Sequence, residues 1–351
     1  MNPPRKILIA RLSSIGDIIL TTPLVRCVRQ AYPDASITFL VKKKFSSLVS
    51  FNPNISEVIE FDDVKGRNEL RVLARKLRRE QFDWFIDIHR SLRTKYIRLN
   101  VRFGEVTSYH KRILLRTLLI KLGINRFKSV KPVFLRYFEA VESHGINYDN
   151  NGTEVFYSDD DRQTVERFLI PEGFIPQQKM VVICPGASYS NKQWLPERFA
   201  QLADRLVQNN GVFIVFLGGP SDTGLCGHII TMMKNRATNF AGRLTLLQSA
   251  ALLNKSSLVI TNDSGMMHLA QSQKRPVAAI FGATSRELGF FPLPEKSIVV
   301  EKEMPCRPCT HKGLDHCPRK HFNCMRLITT NDVIDAVEQM LAELSGSVIK
   351  G

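Results

Sequence analysis

ILIARLSSIGDIILTTPLVRCVRQA, residues 7–31, holds the pattern that decides the fold. The apolar run at 7–12 is interrupted by Arg11, so it reads as a strand and not as the core of a signal peptide. The polar turn Ser13-Ser14-Ile15-Gly16-Asp17 follows. From Ile18 to Ala31, Leu20, Leu24, Val25 and Val28 recur at helical spacing. Strand, short polar turn and helix in this order open a βαβ unit.

The same alternation runs outward from there. Strands are expected at 36–41, 57–61 and 82–88, with a helix at 68–80. After Ser91 the pattern blurs: 93–100 and 110–122 read as basic amphipathic segments, 139–157 as polar and irregular, and 159–169 as a helix. Residues 170–179, IPEGFIPQQK, hold two prolines and a glycine and read as a linker. A second α/β series starts at MVVICPG, 180–186, with strands at 211–219, 258–263 and 277–282 and a closing helix at 331–344. The expectation is α/β: parallel sheets in two Rossmann-like domains facing across a cleft. Their bounds are 1–169, a linker at 170–179, 180–330, and a C-terminal helix at 331–351.

The chain has 351 residues, 44% hydrophobic and 23% charged, which excludes a disordered or fibrous protein. Its net charge of +16 implies an anionic partner. The excess is local. Residues 64–136 carry 20 Lys/Arg against 5 Asp/Glu, a net of +15, and the remainder is near neutral. No apolar run approaches the length of a membrane span, and no signal peptide is evident, so a cytoplasmic protein is expected.

Seven cysteines, an odd number without a secretion signal, argue against a disulfide scaffold. Cys27, Cys184 and Cys226 read as buried small apolar residues. Cys306, Cys309, Cys317 and Cys324 cluster, and could ligate a structural zinc or iron. The other reading is a reduced, proline-rich loop with buried thiols.

Four short motifs could carry chemistry. Asp17 stands where the first helix begins, and position alone admits two roles: helix capping, or a general base in the cleft. Pro185-Gly186-Ala187-Ser188 with Lys192 follows a strand, where small residues let a phosphate approach and Lys192 can neutralise it. Leu217-Gly218-Gly219-Pro220-Ser221-Asp222 opens another helix and suits a nucleotide's sugar or base edge. Thr261-Asn262-Asp263-Ser264-Gly265 ends a strand and starts a helix, the geometry of an anion nest, with His268 one turn inside. The ordinary alternative for His268 is a satisfied, partly buried histidine.

In this order, LSSIGDIILTTP, PGASYSNKQW, LGGPSD and TNDSGMMHLA, followed by RPVAAIFG and CMRLIT, resemble the ADP-heptose–lipopolysaccharide heptosyltransferases of glycosyltransferase family 9. Heptosyltransferase II is the nearest subgroup. The resemblance implies a GT-B fold and inverting, metal-independent transfer of heptose from ADP-heptose to the lipopolysaccharide inner core. It implies Asp17 as catalytic base, and Ser188, Lys192, Asp263, Ser264, Gly265 and His268 as donor-binding residues, with Asp222 a looser match.

On this reading the basic excess faces a phosphorylated glycolipid acceptor at the inner-membrane surface, where the enzyme is peripheral. Ser13, Ser14, Arg90, Arg93, Lys95 and Arg98 are the acceptor candidates. No cofactor is required and no nucleic acid is expected. Two alternatives are a related transferase using another nucleotide sugar and a non-catalytic basic nucleic-acid-binding protein. Against the latter, Phe82, Trp84 and Phe85 lie in a strand pattern that reads as core and not as a stacking platform.

Overall fold

A computed structural model describes residues 3–346 and resolves two compact units. One runs to Lys111 and resumes over Lys131–Phe156; the other takes Arg112–Val130 and continues from Tyr157.

The first unit holds a sheet of β1 (Lys6–Ala10), β2 (Ser36–Lys42), β3 (Glu57–Phe61), β4 (Trp84–Asp87) and β5 (Glu105–Ser108). All pairs are parallel and the order is β3-β2-β1-β4-β5. The order reverses between β1 and β4, where Ala10 lies opposite Asp87. That is the topological switch point at which doubly wound sheets bind ligands.

The second unit holds β6 (Met180–Cys184), β7 (Phe213–Phe216), β8 (Thr238–Asn239), β9 (Leu258–Asn262), β10 (Val277–Phe281) and β11 (Ser297–Glu301). Its order, β11-β10-β9-β6-β7-β8, is also all parallel, with the switch point between β6 and β9. Every residue of β6, β9 and β10 is buried, as strands covered by helices on both faces must be.

Three strands were not expected: β5, β8 and β11. Each is the outer strand of its sheet or a two-residue piece, paired on one side only. Such strands need no continuous apolar run, so their sequences carry little periodicity.

The chain divides differently from the expected bounds. Arg26 is buried and reaches Asp149 Oδ2 and Oδ1 at 2.6 and 2.8 Å and Glu154 Oε2 at 2.5 Å. Breaking a buried, bidentate pair of this kind costs several kcal/mol, so residues near 150 are held on the first unit. The helix Asp159–Leu169 instead packs on the helix Leu246–Lys255, with Lys255 Nζ at 2.8 Å from Glu166. It therefore enters the second unit before residues 170–179 are reached. The helix Thr330–Gly346 sinks Val333, Ile334, Val337, Met340 and Leu341 into the second unit's core and is no separate body. The remainder of the expected 331–351 segment lies outside the described residues.

The basic segment is likewise divided. Residues 64–111 and 131–136 belong to the first unit, but 112–130 belong to the second. The excess therefore does not fall wholly within one unit, although residues 64–136 lie inside the expected first domain, 1–169. Part of it is solvated helix surface. The helix Gly66–Glu80 buries Leu73, Ala74 and Leu77 and leaves Arg71, Arg75, Lys76, Arg78 and Arg79 exposed. Trp84 and Phe85 are buried in β4 and Phe82 just ahead of it, and Tyr96 and Phe103 pack against the core that holds Phe82 and Phe85. None of the five forms a stacking platform for bases.

Cys27, Cys184 and Cys226 are buried, as expected, and burial pushes the Cys226 thiol up to about 12. Among the described residues no helix is long and apolar enough to cross a membrane.

Candidate functional site

The turn after β1 is built around a charge. Arg11 is buried, 7% exposed, and donates from Nη1 to Ile88 O at 2.7 Å and from Nε to Ser13 O at 3.0 Å. It therefore ties the end of β1 to the turn after β4, across the switch point. Its Nη2 pairs with Asp17 Oδ1, which also accepts from the Tyr137 hydroxyl at 3.4 Å. Asp17 Oδ2 accepts from the Ser14 backbone N–H at 3.2 Å and the Ser14 hydroxyl at 2.8 Å. The carboxylate thus closes the first turn of the helix Ile15–Ile19 while its side chain stays 19% exposed. Burial opposes the Arg11 charge, but Asp17, Tyr137 and Tyr109 outweigh that and hold the guanidinium above its ordinary pKa.

Asp87 ends β4, and its Oδ1 accepts from the backbone N–H of Arg90 at 2.7 Å and His89 at 3.1 Å. Burial raises the Asp87 pKa against those hydrogen bonds. His89 is pushed down to about 3, first by burial and then by the positive charges of Arg11 and Lys111. Its Nδ1 is a buried atom without a hydrogen-bond partner among the described residues.

A His whose folded pKa lies below its unfolded value binds fewer protons folded than unfolded between the two, so stability rises with pH across that interval. The expected result is a thermal midpoint that falls on acidification from pH 7 toward 4. His89→Gln flattens that fall; an unchanged slope in the variant overturns the assignment.

Arg90 takes φ 48 and donates from Nη1 to Tyr109 O at 2.6 Å, so it belongs to the switch-point turn. Ser13 and Ser14 lie in the turn that Arg11 ties to this one, whereas the three remaining acceptor candidates are on the helix that follows. Arg93 lies over the Phe61 ring at 5.7 Å, and Lys95 and Arg98 are exposed on the helix Leu92–Asn100. Arg93 and Lys95 point about 160° apart around that helix.

In the second unit, Asn262 fastens the two loops of the switch point. Its Nδ2 donates to Pro185 O at 2.6 Å and its Oδ1 accepts from Trp194 N–H at 3.1 Å. Next to it, Lys192 Nζ meets Asp263 Oδ2 at 2.6 Å, with side chains 12% and 8% exposed. Thr284 Oγ1 donates to the same oxygen at 2.7 Å.

Ser264 stands before the helix Gly265–Ser272 without capping it; its hydroxyl lies 3.2 Å from Thr261 Oγ1. His268 is buried in that helix and Ser188 is exposed on its loop. Because Lys192 and Asp263 neutralise one another, the attraction for an anion rests largely on the helix N-terminus.

Asp222 joins this group from the loop after β7. Its Oδ2 accepts from Gly219 N–H at 2.8 Å. A Cβ on Gly186 would fall 2.3 Å from its Oδ1, and one on Gly218 2.6 Å from its Oδ2. Glycine at both positions is what lets the carboxylate lie against the Pro185–Ser188 loop. Burial raises its pKa.

The four clustered cysteines lie near enough to raise one another's pKa, but each thiol has its own contact. Cys306 Sγ lies 3.8 Å from His321 Nε2, Cys309 Sγ 3.7 Å from Ala283 O, and Cys317 Sγ accepts from Phe322 N–H at 3.4 Å. Burial, and after it the neighbouring cysteines, pushes Cys324 up to about 11 and raises Cys309. Among the described residues no three His, Cys, Asp or Glu side chains gather as a metal site. As placed, the cluster does not fit a tetrahedral zinc or iron.

Sequence reasoning missed Arg11, His89, Tyr109 and Tyr137. A signal existed for the first: a lone arginine closing an apolar strand must find a buried partner. The partner Tyr137 is 120 positions from Asp17 and leaves no local trace.

The chain is 27% identical over 286 residues to the lipopolysaccharide core heptosyltransferase OpsX of Haemophilus influenzae, covering 79% of each. The crystal structure of the glycosyl transferase family 9 from Veillonella parvula superposes with a TM-score of 0.81 at 26% identity, over 97% of this chain and 98% of that one. For the fold alone, the Escherichia coli ADP-heptose lps heptosyltransferase II gives a TM-score of 0.76 at 22% identity, covering 97% and 99%. The sequence matches the model of glycosyltransferase family 9 (heptosyltransferase) over residues 70–318, a span that takes in the β4 turn and the second-unit loops at 185–192, 217–222 and 261–265, and the chain belongs to that family of transferases.

Proposed function

We propose that this chain transfers a heptose from ADP-heptose to the inner core of lipopolysaccharide, with inversion at the anomeric carbon. The observation that supports it most is the position of the motif loops at the switch points of their own sheets: a partly exposed carboxylate at one, a helix N-terminus at the other. In this reading Asp17 accepts the proton of the acceptor hydroxyl as that oxygen bonds to the anomeric carbon. The bond from that carbon to the diphosphate breaks, and ADP leaves with the electron pair on the opposite face.

Lys192, Ser188, Ser264 and the first N–H groups of the helix beginning at Gly265 meet the diphosphate charge. Asp263 holds Lys192 in place, while Asp222 and His268 complete the donor site. Ser13, Ser14, Arg90, Arg93, Lys95 and Arg98 are assigned to the acceptor. A lysine and a helix terminus can stabilise the leaving group, so transfer needs no divalent cation in this scheme. The acceptor is a phosphorylated lipid, which puts the enzyme at the cytoplasmic face of the inner membrane as a peripheral protein.

Thermal stabilisation by ADP-heptose, other ADP-sugars, UDP-sugars and duplex DNA tests the reading. ADP-heptose at a hundred times its Kd is expected to add about 2.7 kcal/mol, a shift of several degrees. A larger shift with a UDP-sugar assigns a different donor. Steeply salt-dependent binding to duplex without any ADP-sugar response overturns the enzyme reading in favour of nucleic acid.

A further inference from the structure

The helix Ile113–Leu122, ILLRTLLIKL, is apolar on nearly every side, yet of its residues only Leu119 is buried. A helix of that composition normally lies inside a core. Here Leu114 is 72% exposed, Leu122 65% and Ile113 60%, and the loop that follows exposes Ile124 and Val130. These are five of the fifteen exposed large apolar residues among those described. At about 100° per residue, Ile113 and Leu114 fall on the arc turned away from Leu119, with Lys121 between them, while Leu122 lies nearer Leu119 and is exposed at the last turn of the helix.

The charge around this face has one sign. Residues 112–130 contain Arg112, Arg116, Lys121, Arg126 and Lys128 and no acidic residue. Lys121, Arg126 and Lys128 are exposed. The segment is anchored and not trailing: Asn125 Nδ2 donates to Glu287 Oε1 at 3.1 Å, and Asn125 Oδ1 accepts from Phe127 N–H at 3.0 Å.

We propose that this face docks on a lipid bilayer bearing anionic headgroups, the helix lying in the interface with its leucines in the acyl boundary and its lysine and arginines at the phosphates. The inference deepens the reading of a lipid-linked acceptor and rests on it. Both features are needed to choose the occupant. Nucleic acid would use the cations but not the exposed leucines. A second copy of the chain meeting this face symmetrically would bring like charges together. A bilayer with anionic lipid satisfies both the leucines and the cations.

The experiment is flotation of the full-length chain with vesicles of phosphatidylcholine alone or mixed with phosphatidylglycerol. Binding is expected to be roughly tenfold or more stronger to the anionic vesicles and to weaken with salt. Leu114→Glu with Leu122→Glu, and separately Lys121→Glu with Arg126→Glu and Lys128→Glu, should each lower it by roughly tenfold or more.

Equal binding to neutral vesicles, or unchanged binding in either variant, overturns the proposal. So does a dimer in light scattering that the leucine variant dissolves, which would assign the face to a second copy. All positions changed are exposed, so an unshifted thermal midpoint certifies the fold. Transfer to a delipidated, soluble acceptor should be unchanged in the leucine variant. If the unaltered chain transfers to no acceptor while still binding anionic vesicles, the functional reading fails and the docking face stands.

Discussion

Asp17→Asn is expected to lower kcat about 10²- to 10⁴-fold, the usual contribution of a positioned general base. Donor binding should be nearly unchanged, because Asp17 belongs to the first unit and the donor loops to the second. The variant also disturbs a structural contact. Arg11 is buried and pairs with Asp17, so an amide there leaves a guanidinium with one fewer negative partner. Loss of a buried pair costs about 3–5 kcal/mol when the remaining charge is fully enclosed; with Asp17 19% exposed, a smaller loss is expected.

The two effects separate in Arg11→Met with Asp17→Asn. Removing both charges should recover the part of the stability lost to the unpaired guanidinium, though not the Arg11 hydrogen bonds to Ile88 O and Ser13 O, and none of the turnover. Near-normal kcat in a folded Asp17→Asn protein would sink the base assignment. Turnover recovered together with stability in the double variant would reduce Asp17 to a capping residue.

Lys192→Met should act twice, on stability and on donor affinity. It leaves Asp263 with Thr284 as its remaining described side-chain partner, and an uncompensated carboxylate at 8% side-chain exposure should cost roughly 3 kcal/mol. It also removes the cation paired with Asp263, two residues before the helix start at Gly265, and a charge-assisted hydrogen bond to a phosphate is worth about 1.5–3 kcal/mol, roughly ten- to a hundredfold in Kd.

Adding Asp263→Asn should restore the thermal midpoint but leave ADP-heptose binding weak. Calorimetric titration of the double variant decides between the roles. Full donor affinity there means that Lys192 serves only to neutralise Asp263.

Much of the site was legible because its residues are neighbours in the chain. Ser14 and Asp17 lie three residues apart and meet; so do Gly219 and Asp222. A strand, a turn and a helix start leave their pattern in the order of residues, since side-chain direction repeats every two or 3.6 positions. The edge strands β5, β8 and β11 escaped because pairing on one side demands no apolar run. The domain bounds escaped because one buried arginine, Arg26, reaches across 123 positions to Asp149, and no local pattern records that contact.

What the amino-acid order determined by itself was the alternation of strands and helices, the motif turns between them, the family to which those turns belong, and the size and local position of the basic excess. Those follow from periodicity and short-range contacts. The tertiary structure alone decided that β1 and β4 share a switch point, that Arg11 and Tyr137 converge on Asp17, that Lys192 is neutralised by Asp263, and that residues 112–130 join the second unit with Leu114 and Leu122 exposed. These are pairings between residues far apart in sequence, set by sheet order and by the need of each buried charge for a partner.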